Sequence, residues 1–183
     1  MNLLKKVLLL WCYLFLVNIT ITSAAVISDT YPKNPDIDII NYTFDLKLSD
    51  ETDLIQALAT LQVRFKTDGI NKLRLDLIKK SEKLGGKGMS VKRVTFQGKY
   101  LKYTHEADIL WIQLDNSKAN EERLITIEYE GIPNEGLSIG PNKYGDRTFF
   151  SDNWPNKARN WLPTVDHPSD KATCEFIITA PLQ

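Results

Sequence analysis

Hydrophobic and polar residues alternate with a period of two along much of this chain. The clearest example is residues 40–48 (INYTFDLKL), and the same alternation recurs in segments 57–65, 72–78, 109–114 and 124–131. A period of two predicts β-strands with one face buried and the other in solvent. The residues expected to point into the core are Tyr42, Phe44, Leu46 and Leu48; Ala59, Leu61, Val63 and Phe65; Leu73, Leu75 and Leu77; Leu110, Ile112 and Leu114; and Ile125, Ile127 and Tyr129.

Glycine and polar clusters separate these strands and predict where the chain turns. Segments 90–97 and 99–103 flank Gly98, so we expect a hairpin turn at Gly98-Lys99. Glycines near the end of residues 78–88 favour a charged surface loop over a helical turn, and regular alternation fails from 132 to 168. Short strands without a long helical period predict an all-β fold, either an antiparallel sandwich or a curved sheet, and no repeat or linker indicates a second domain.

The first 25 residues have the layout of a secretory signal. Two lysines, Lys5 and Lys6, precede an apolar run over residues 7–19, and small residues follow at Ala24 and Ala25. The run is shorter than the roughly 20 residues that span a bilayer. We therefore expect residues 1–25 to be a signal peptide and 26–183 to be an exported domain, periplasmic or extracellular. The alternative is an uncleaved anchor, which would be the only link to a membrane.

The charge balance and the cysteine count bear on possible partners and on disulfide bonding. Basic and acidic residues number 23 each, so nothing in the charge balance indicates nucleic acid as a partner. Loss of the leader would leave the chain slightly acidic and would also remove Cys12, so that Cys174 could form no internal disulfide. Cys174 alternates with Phe176 and Ile178 in segment 173–180, which predicts a buried, unreactive thiol.

The chemical motifs in the chain are incomplete. The glycine-rich LGGKGMS lacks the spacing of a phosphate-binding loop, and no H-E-x-x-H motif is present. His105 and His167 are too far apart in sequence to predict a zinc site. Ser169, His167 and Asp166 are such close neighbours that they cannot easily form a catalytic chain of hydrogen bonds. We expect no catalytic residue and no metal ligand in this chain.

A stretch near the end of the chain carries a specific pattern, A-R-x-x-[FL]-P-x-x-D-x-P-x-x-K-A-[ST]. It is matched by Ala158, Arg159, Leu162, Pro163, Asp166, Pro168, Lys171, Ala172 and Thr173. With the LRLDL and IEYEGIP segments upstream, residues 31–183 resemble the N-terminal β domain of the aminopeptidase N family, the zinc-dependent gluzincin exopeptidases related to leukotriene hydrolases.

The resemblance implies a saddle-like β-sandwich that packs on a following, thermolysin-like catalytic domain. In the full-length family, that following domain binds zinc and the free amino end of the peptide, so this chain would need no cofactor of its own. The chain contains neither of the family motifs G-[AG]-M-E-N and H-E-x-x-H. It therefore looks truncated before the catalytic domain, which would be its missing partner, and it would meet peptide substrate only in the complete enzyme.

The resemblance also implies a substrate-binding position. The family supplies a Gln or Glu five places before the motif arginine, and here that position is Trp154. A tryptophan ring can stack on a side chain or a cation but cannot accept a hydrogen bond as a carboxylate does. Asn153 and Asp152 are the nearby candidates to hold the substrate's amino group.

The other residues of the motif have structural interpretations. We expect Arg159 to form a bidentate ion pair with Asp166 or Asp170, and Asp166 to cap a helical turn over residues 168–172. Pro163, Pro168 and Lys171 complete the structural motif. Trp154 and Trp161 are expected to pack at the seam between the two domains.

Two classes of function remain open from the sequence. One is the non-catalytic N-terminal domain of an exported zinc aminopeptidase. The other is a freestanding β module that binds a protein or a glycan through exposed aromatic residues around Trp154, Tyr144 and Phe149.

Overall fold

The structure is a computed structural model that describes residues 29–181. The predicted signal peptide lies outside the described residues. Of the described residues, 33–181 belong to one compact unit. Within residues 29–181, no helix is long and apolar enough to cross a membrane.

Eleven strands and two short 3₁₀ turns make up the secondary structure of the described residues. The strands are β1 Ile37–Lys47, β2 Ile55–Phe65, β3 Lys72–Asp76, β4 Gly88–Phe96, β5 Lys99–Tyr100, β6 Tyr103–Glu106, β7 Ile109–Gln113, β8 Glu121–Ile132, β9 Leu137–Pro141, β10 Arg147–Ser151 and β11 Thr173–Thr179. The 3₁₀ turns are Glu82–Leu84 and Ala158–Asn160.

Three sheets arise from these strands. The largest has six strands in the order β11-β1-β2-β8-β4-β5, the second has three in the order β3-β7-β6, and β9 and β10 form a separate hairpin. All pairs are antiparallel except β1 and β11, which run parallel. The predicted all-β, mainly antiparallel fold is therefore confirmed, with one parallel pair that the alternation pattern does not reveal.

The core lies where the alternation predicts it. Every residue that the alternation predicts to point inward is buried. Most of these residues lie in β1, β2, β3, β7 and β8, and the others directly follow β1, β3 and β7. Residues from the six-stranded and three-stranded sheets belong to the same buried cluster. Small residues sit beside large ones: Ala59 of β2 lies between Phe44 of β1 and Ile127 of β8 in the strand register. The core is thus a layer of alternating side chains between two sheets, as expected for β packing.

Two local predictions need correction. The turn between β4 and β5 is formed by Gln97 and Gly98, because Phe96 pairs with Lys99; it lies one residue before the predicted position. Both turn residues have positive φ, 50° and 75°, which a two-residue hairpin of this hand requires. In addition, residues 132–168 are not wholly irregular, since they contain the β9–β10 hairpin. The loop over residues 78–88 has the predicted character, with a single 3₁₀ turn.

β11 is an edge strand, and all its residues are exposed. Cys174, Phe176 and Ile178 stand opposite Tyr42, Phe44 and Leu46 of β1 and so share the core-facing side of the sheet. We call these three residues the β11 ledge. The prediction of a buried Cys174 is wrong, because the strand faces the right way but the described residues do not cover it.

A buried arginine, Arg123, links the start of β8 to the preceding loop through hydrogen bonds. The Arg123 guanidinium lies 5.0 Å and 5.5 Å from the ring centroids of Phe65 and Phe96. Its Nε and one terminal nitrogen donate to the two carboxylate oxygens of Glu121 at 2.7 and 2.9 Å, and the other terminal nitrogen donates to the Asp115 carbonyl at 2.8 Å. Hydrogen bonding from Arg123 lowers the pKa of Glu121 to about 2.

This pair predicts a pH-dependent effect of the substitution Glu121→Gln. The free energy of unfolding at neutral pH should fall by about 1 kcal/mol, a figure reduced because Glu121 is partly exposed. The pKa of Glu121 is lowered on folding, so its contribution is full above the ordinary value of 4.5 and is lost as the pH falls towards 2. Urea unfolding of both proteins across this range measures the difference. A difference that stayed constant down to the acid end would contradict the assignment.

Candidate functional site

The sequence-predicted site residues lie in the segment that leads from β10 to β11. Residues 152–157, which we call the Trp154 turn, are followed by the 3₁₀ turn Ala158–Asn160, and residues 160–164 are buried. The turn follows the β9–β10 hairpin, and two contacts fix that hairpin. Arg147 of β10 donates to the Ser49 carbonyl at 3.0 Å and to the Asp53 carboxylate at 2.6 Å, both in the loop between β1 and β2.

Hydrogen bonds define the conformation of the Trp154 turn. The Asp152 amide donates to the Gly136 carbonyl at 2.9 Å, and the Lys157 amide donates to the Asn153 carbonyl at 3.0 Å. The Trp154 amide donates to Oδ1 of Asp152 at 3.2 Å, while Oδ2 of Asp152 lies 3.6 Å from Nζ of Lys157. The three predicted substrate-binding residues therefore sit in one turn, with the Asp152 carboxylate exposed.

The two tryptophans of this segment have opposite environments. Trp154 is 78% exposed, whereas Trp161 is 3% exposed and belongs to the core. Nε1 of Trp161 donates to Oδ1 of Asn153 at 2.9 Å, and its ring stacks on Phe176 at a centroid distance of 6.0 Å. The prediction that Trp161 packs at a domain seam is wrong, because its ring is already buried within this domain. Trp154 is free to contact something outside it.

Arg159 and Asp166 form the ion pair that the sequence predicts. Nε of Arg159 donates to Oδ2 of Asp166 at 2.8 Å, and a terminal nitrogen donates to the Asp166 carbonyl at 3.0 Å. The contact is thus with one carboxylate oxygen and one backbone oxygen, not the expected bidentate pair. Oδ2 of Asp166 also accepts the Arg159 amide at 3.2 Å. No helical turn forms at residues 168–172, so the capping role predicted for Asp166 is wrong.

Asp170 takes a different partner. Its Oδ2 accepts a hydrogen bond from the Tyr42 hydroxyl at 2.7 Å, and the same hydroxyl accepts the Val165 amide at 3.1 Å. Burial raises the pKa of Asp170 above its usual value. Tyr42 of β1 therefore joins two points of the C-terminal segment to the six-stranded sheet.

The buried carboxylate of Asp76 is a central residue that the sequence analysis missed. Asp76 is 1% exposed; its Oδ1 lies 2.7 Å from a terminal nitrogen of Arg74, and its Oδ2 accepts the Asp166 amide at 3.1 Å. The Asp76 and Thr164 backbones exchange two hydrogen bonds of 2.7 and 3.2 Å. The signal available in the sequence is the pair Arg74 and Asp76, two residues apart and so on the same face of β3.

The remaining residues of the structural motif differ in exposure. Pro163 lies in the buried stretch, whereas Pro168 is exposed in a turn and Lys171 is exposed just before β11. Their structural role stays a prediction.

The two histidines make local contacts. Nε2 of His105 lies 2.8 Å from the Leu77 carbonyl, and burial lowers the pKa of His105. Nδ1 of His167 lies 2.8 Å from Oγ of Ser169, but the neighbouring Asp166 carboxylate is turned towards Arg159. Within residues 29–181 no group of three His, Cys, Asp or Glu side chains is placed to hold a metal ion.

Three aromatic side chains between residues 142 and 154 are exposed to solvent: Tyr144, Phe150 and Trp154. Phe149, which was expected to be exposed, packs against the core. Phe150 is the exposed residue of the pair, because neighbouring residues in β10 point to opposite faces.

A family model described as the Peptidase M1 N-terminal domain matches residues 39–183. The chain belongs to this family. The match includes the whole motif from Ala158 to Thr173 and all eleven strands except the first two residues of β1. The resemblance seen in the sequence is therefore confirmed over most of the chain.

Solved M1 enzymes share the fold of this M1 domain. The M1 zinc metallopeptidase of Deinococcus radiodurans has a TM-score of 0.64 at 21% identity, covering 80% of this chain and 33% of its own. A variant of it bound to a Tyr-Ser-Ala substrate has a TM-score of 0.63 at 22% identity, with coverage of 80% and 33%. Native leukotriene A4 hydrolase of Saccharomyces cerevisiae has a TM-score of 0.62 at 21% identity, with coverage of 81% and 24%.

The M1 domain described here spans only about a quarter to a third of the length of these solved enzymes. No curated protein matches the chain significantly. At these identities the structural likeness shows the fold, and the activity of the larger enzymes is a separate question.

The buried Asp76 carboxylate predicts a large effect of a small substitution. Asp76→Asn keeps the volume but replaces one acceptor oxygen by an NH₂ group facing the Arg74 guanidinium or the Asp166 amide. We expect the free energy of unfolding to fall by about 2 to 4 kcal/mol, because buried donors lose their charged acceptor. Chemical denaturation of the mature chain measures it. The matched control is Asp45→Asn, at an exposed position of β1. This substitution should change the free energy of unfolding by less than about 0.5 kcal/mol. Equal effects would refute a special role for Asp76.

Proposed function

We propose that this chain is the N-terminal domain of an exported zinc-dependent aminopeptidase, which removes residues from the amino end of peptides. The domain itself is non-catalytic, and a following domain supplies the zinc ligands. Membership of the M1 N-terminal domain family supports this proposal, as do the solved zinc metallopeptidases that share the fold. The 183 residues contain no H-E-x-x-H motif of their own.

The β11 ledge is the observation that carries the proposal. Cys174, Phe176 and Ile178 continue the core face of the six-stranded sheet, yet they are exposed in the described part of the chain. Apolar groups in water are unfavourable by about 25 cal/mol per Å² of area. A core layer left open along one edge is what a domain interface looks like when its other side is absent. The following catalytic domain is the occupant that the family architecture supplies.

Substrate binding is assigned to the Trp154 turn. Oδ1 of Asn153 already accepts a hydrogen bond from Nε1 of Trp161, and the Trp154 side chain has no hydrogen-bond acceptor. The Asp152 carboxylate is exposed, so it is the group best suited to accept the substrate's ammonium, although Lys157 stands 3.6 Å from it. The Trp154 ring then packs against the first side chain of the peptide. This role differs from the amine anchoring by Gln or Glu that the resemblance implies for position 154.

The export part of the proposal rests on residues 1–25 alone. Their lysines, apolar run and small residues are typical of a signal peptide. Export would place the enzyme in the periplasm or outside the cell, and an uncleaved leader would hold it at the membrane. Amino-terminal sequencing of the mature protein tests this part independently of the peptidase activity.

A second candidate is a freestanding module that binds a protein or a glycan. The three exposed aromatic residues Tyr144, Phe150 and Trp154 favour it, since such side chains anchor many interfaces. The coding sequence directly downstream separates the two candidates. We expect an H-E-x-x-H motif there; its absence would favour the module.

The mature chain alone should not hydrolyse aminoacyl anilides, with or without added zinc. The physical reason is that a catalytic zinc needs three protein ligands around an open position, and the proposal places them in the following domain. The measurement is release of the chromophore against a blank containing zinc only. Turnover above that blank would overturn the non-catalytic assignment.

Two neighbouring isoleucines of β11 test the proposed docking face. Ile178 points to the ledge side and Ile177 to the opposite side, with exposures of 56% and 48%. In the chain alone, Ile178→Ser and Ile177→Ser should each change the free energy of unfolding by less than about 1 kcal/mol, because both side chains are half in water. With the following domain present, Ile178→Ser should weaken domain association by about tenfold and Ile177→Ser should not.

Association is measured by titrating the separately produced following domain into each variant. Equal effects of the two serine substitutions would contradict the assignment of the ledge as the docking face.

A further inference from the structure

The indole of Trp161 touches three elements that meet beneath the Trp154 turn. Its Nε1 donates to Oδ1 of Asn153 at 2.9 Å, which is its link to the turn. Its ring stacks on Phe176 of the β11 ledge with an interplanar angle of 19°. On a third side it packs against Gly136, where a Cβ would lie only 3.0 Å from Cδ1 and Nε1 of the indole.

Gly136 belongs to the same arrangement through its backbone. It has a φ of 80° and its carbonyl accepts the Asp152 amide at 2.9 Å. A side chain at this position would also meet the Lys157 carbonyl at 2.5 Å. The chain before β9 therefore approaches the Trp154 turn and the indole so closely that only glycine fits.

The turn itself is short of side-chain anchors. Asp152 and Trp154 are exposed. The Asp152 carboxylate accepts the Trp154 amide and lies 3.6 Å from Nζ of Lys157, and the Lys157 amide donates to the Asn153 carbonyl, so these contacts stay within the turn. The Asn153 side chain is the one that reaches the core, and it does so through the Trp161 indole. A buried N–H needs an acceptor, so the same hydrogen bond satisfies Trp161 and fixes Asn153.

We propose that Trp161 is a positioning residue, which holds the Trp154 turn in place through Asn153 and joins it to the β11 ledge. Trp161 does not itself contact the substrate. The link to substrate binding rests on the function proposed above, whereas the effect on the turn does not. A domain bound to the β11 ledge would contact Phe176, whose ring stacks on the indole that fixes the turn.

The test uses Trp161→Phe and Asn153→Ala in the mature chain. Phenylalanine keeps an aromatic ring against Phe176 but removes the N–H donor, and alanine removes the acceptor. The readout is amide hydrogen exchange at Lys157, whose N–H is bonded to the Asn153 carbonyl. Each single substitution should speed exchange at Lys157 by about threefold to tenfold relative to the amides of β2 and β8.

A double substitution decides whether the two residues act through one bond. If they do, the double variant should exchange at Lys157 no faster than either single variant, whereas independent effects would multiply. Trp111→Phe, at a partly exposed tryptophan of β7, is the matched control and should leave Lys157 unchanged. Should Trp161→Phe fail to fold, Asn153→Ala alone carries the prediction.

Unchanged exchange at Lys157 relative to the β2 amides, or multiplied effects in the double variant, would overturn the proposal. A purely structural loss of packing would instead speed all these amides together.

A second readout separates this inference from the proposed function. In the protein that carries the following domain, Trp161→Phe should raise KM for peptides by about threefold to tenfold and change kcat less than about twofold. If Lys157 exchange responds but no aminopeptidase activity exists, the proposed function fails and the positioning role stands. If activity exists and KM is unchanged, Trp161 does not position the substrate-binding turn.

Discussion

The carboxylate of Asp76 is the contact on which the arrangement of the C-terminal segment depends. It lies at the end of β3, almost wholly buried, and binds Arg74 of its own strand and the Asp166 amide of the returning chain. Burial of a charge is costly unless it is paired and hydrogen-bonded, so this carboxylate tolerates few other positions for the chain around it. Tyr42 adds a second attachment through Asp170 and Val165. Together they place Trp161 inside the domain, the Trp154 turn outside it and β11 beside β1.

The strands and their buried faces could be predicted because each depends on local alternation. The burial of Asp76 could not be predicted in this way. Asp76 alternates with Leu75 and Leu77, so the pattern points it away from the core that those leucines enter. Asp76 is instead covered by the returning chain: Thr164 pairs with its backbone and the Asp166 amide donates to its carboxylate, and no single strand encodes these contacts. Cys174 shows the reverse: its strand and its face were predictable, but the exposure of an edge strand depends on which neighbours cover it.

The local contacts of the segment that carries the candidate site residues were predictable only in part, and the binding role of those residues stays a prediction. The spacing of the family motif named Asp166 as one of two partners for Arg159, because short-range spacing limits which side chains can meet. It did not distinguish the two tryptophans. Trp161 is buried because its ring fits between Gly136 and Phe176, which are far from it in sequence, while Trp154 projects from a turn that is anchored only through its neighbours. Long-range packing of this kind leaves no periodic signal.

We propose that the β11 ledge and the Trp154 turn meet a zinc-bearing domain. The most direct measurement is an experimental structure of this chain joined to the domain that follows it. The account predicts that Phe176 and Ile178 become buried at the domain contact and that Trp154 and Asp152 border the cleft that leads to the zinc. A structure in which these side chains stay in solvent, far from the metal, would contradict it.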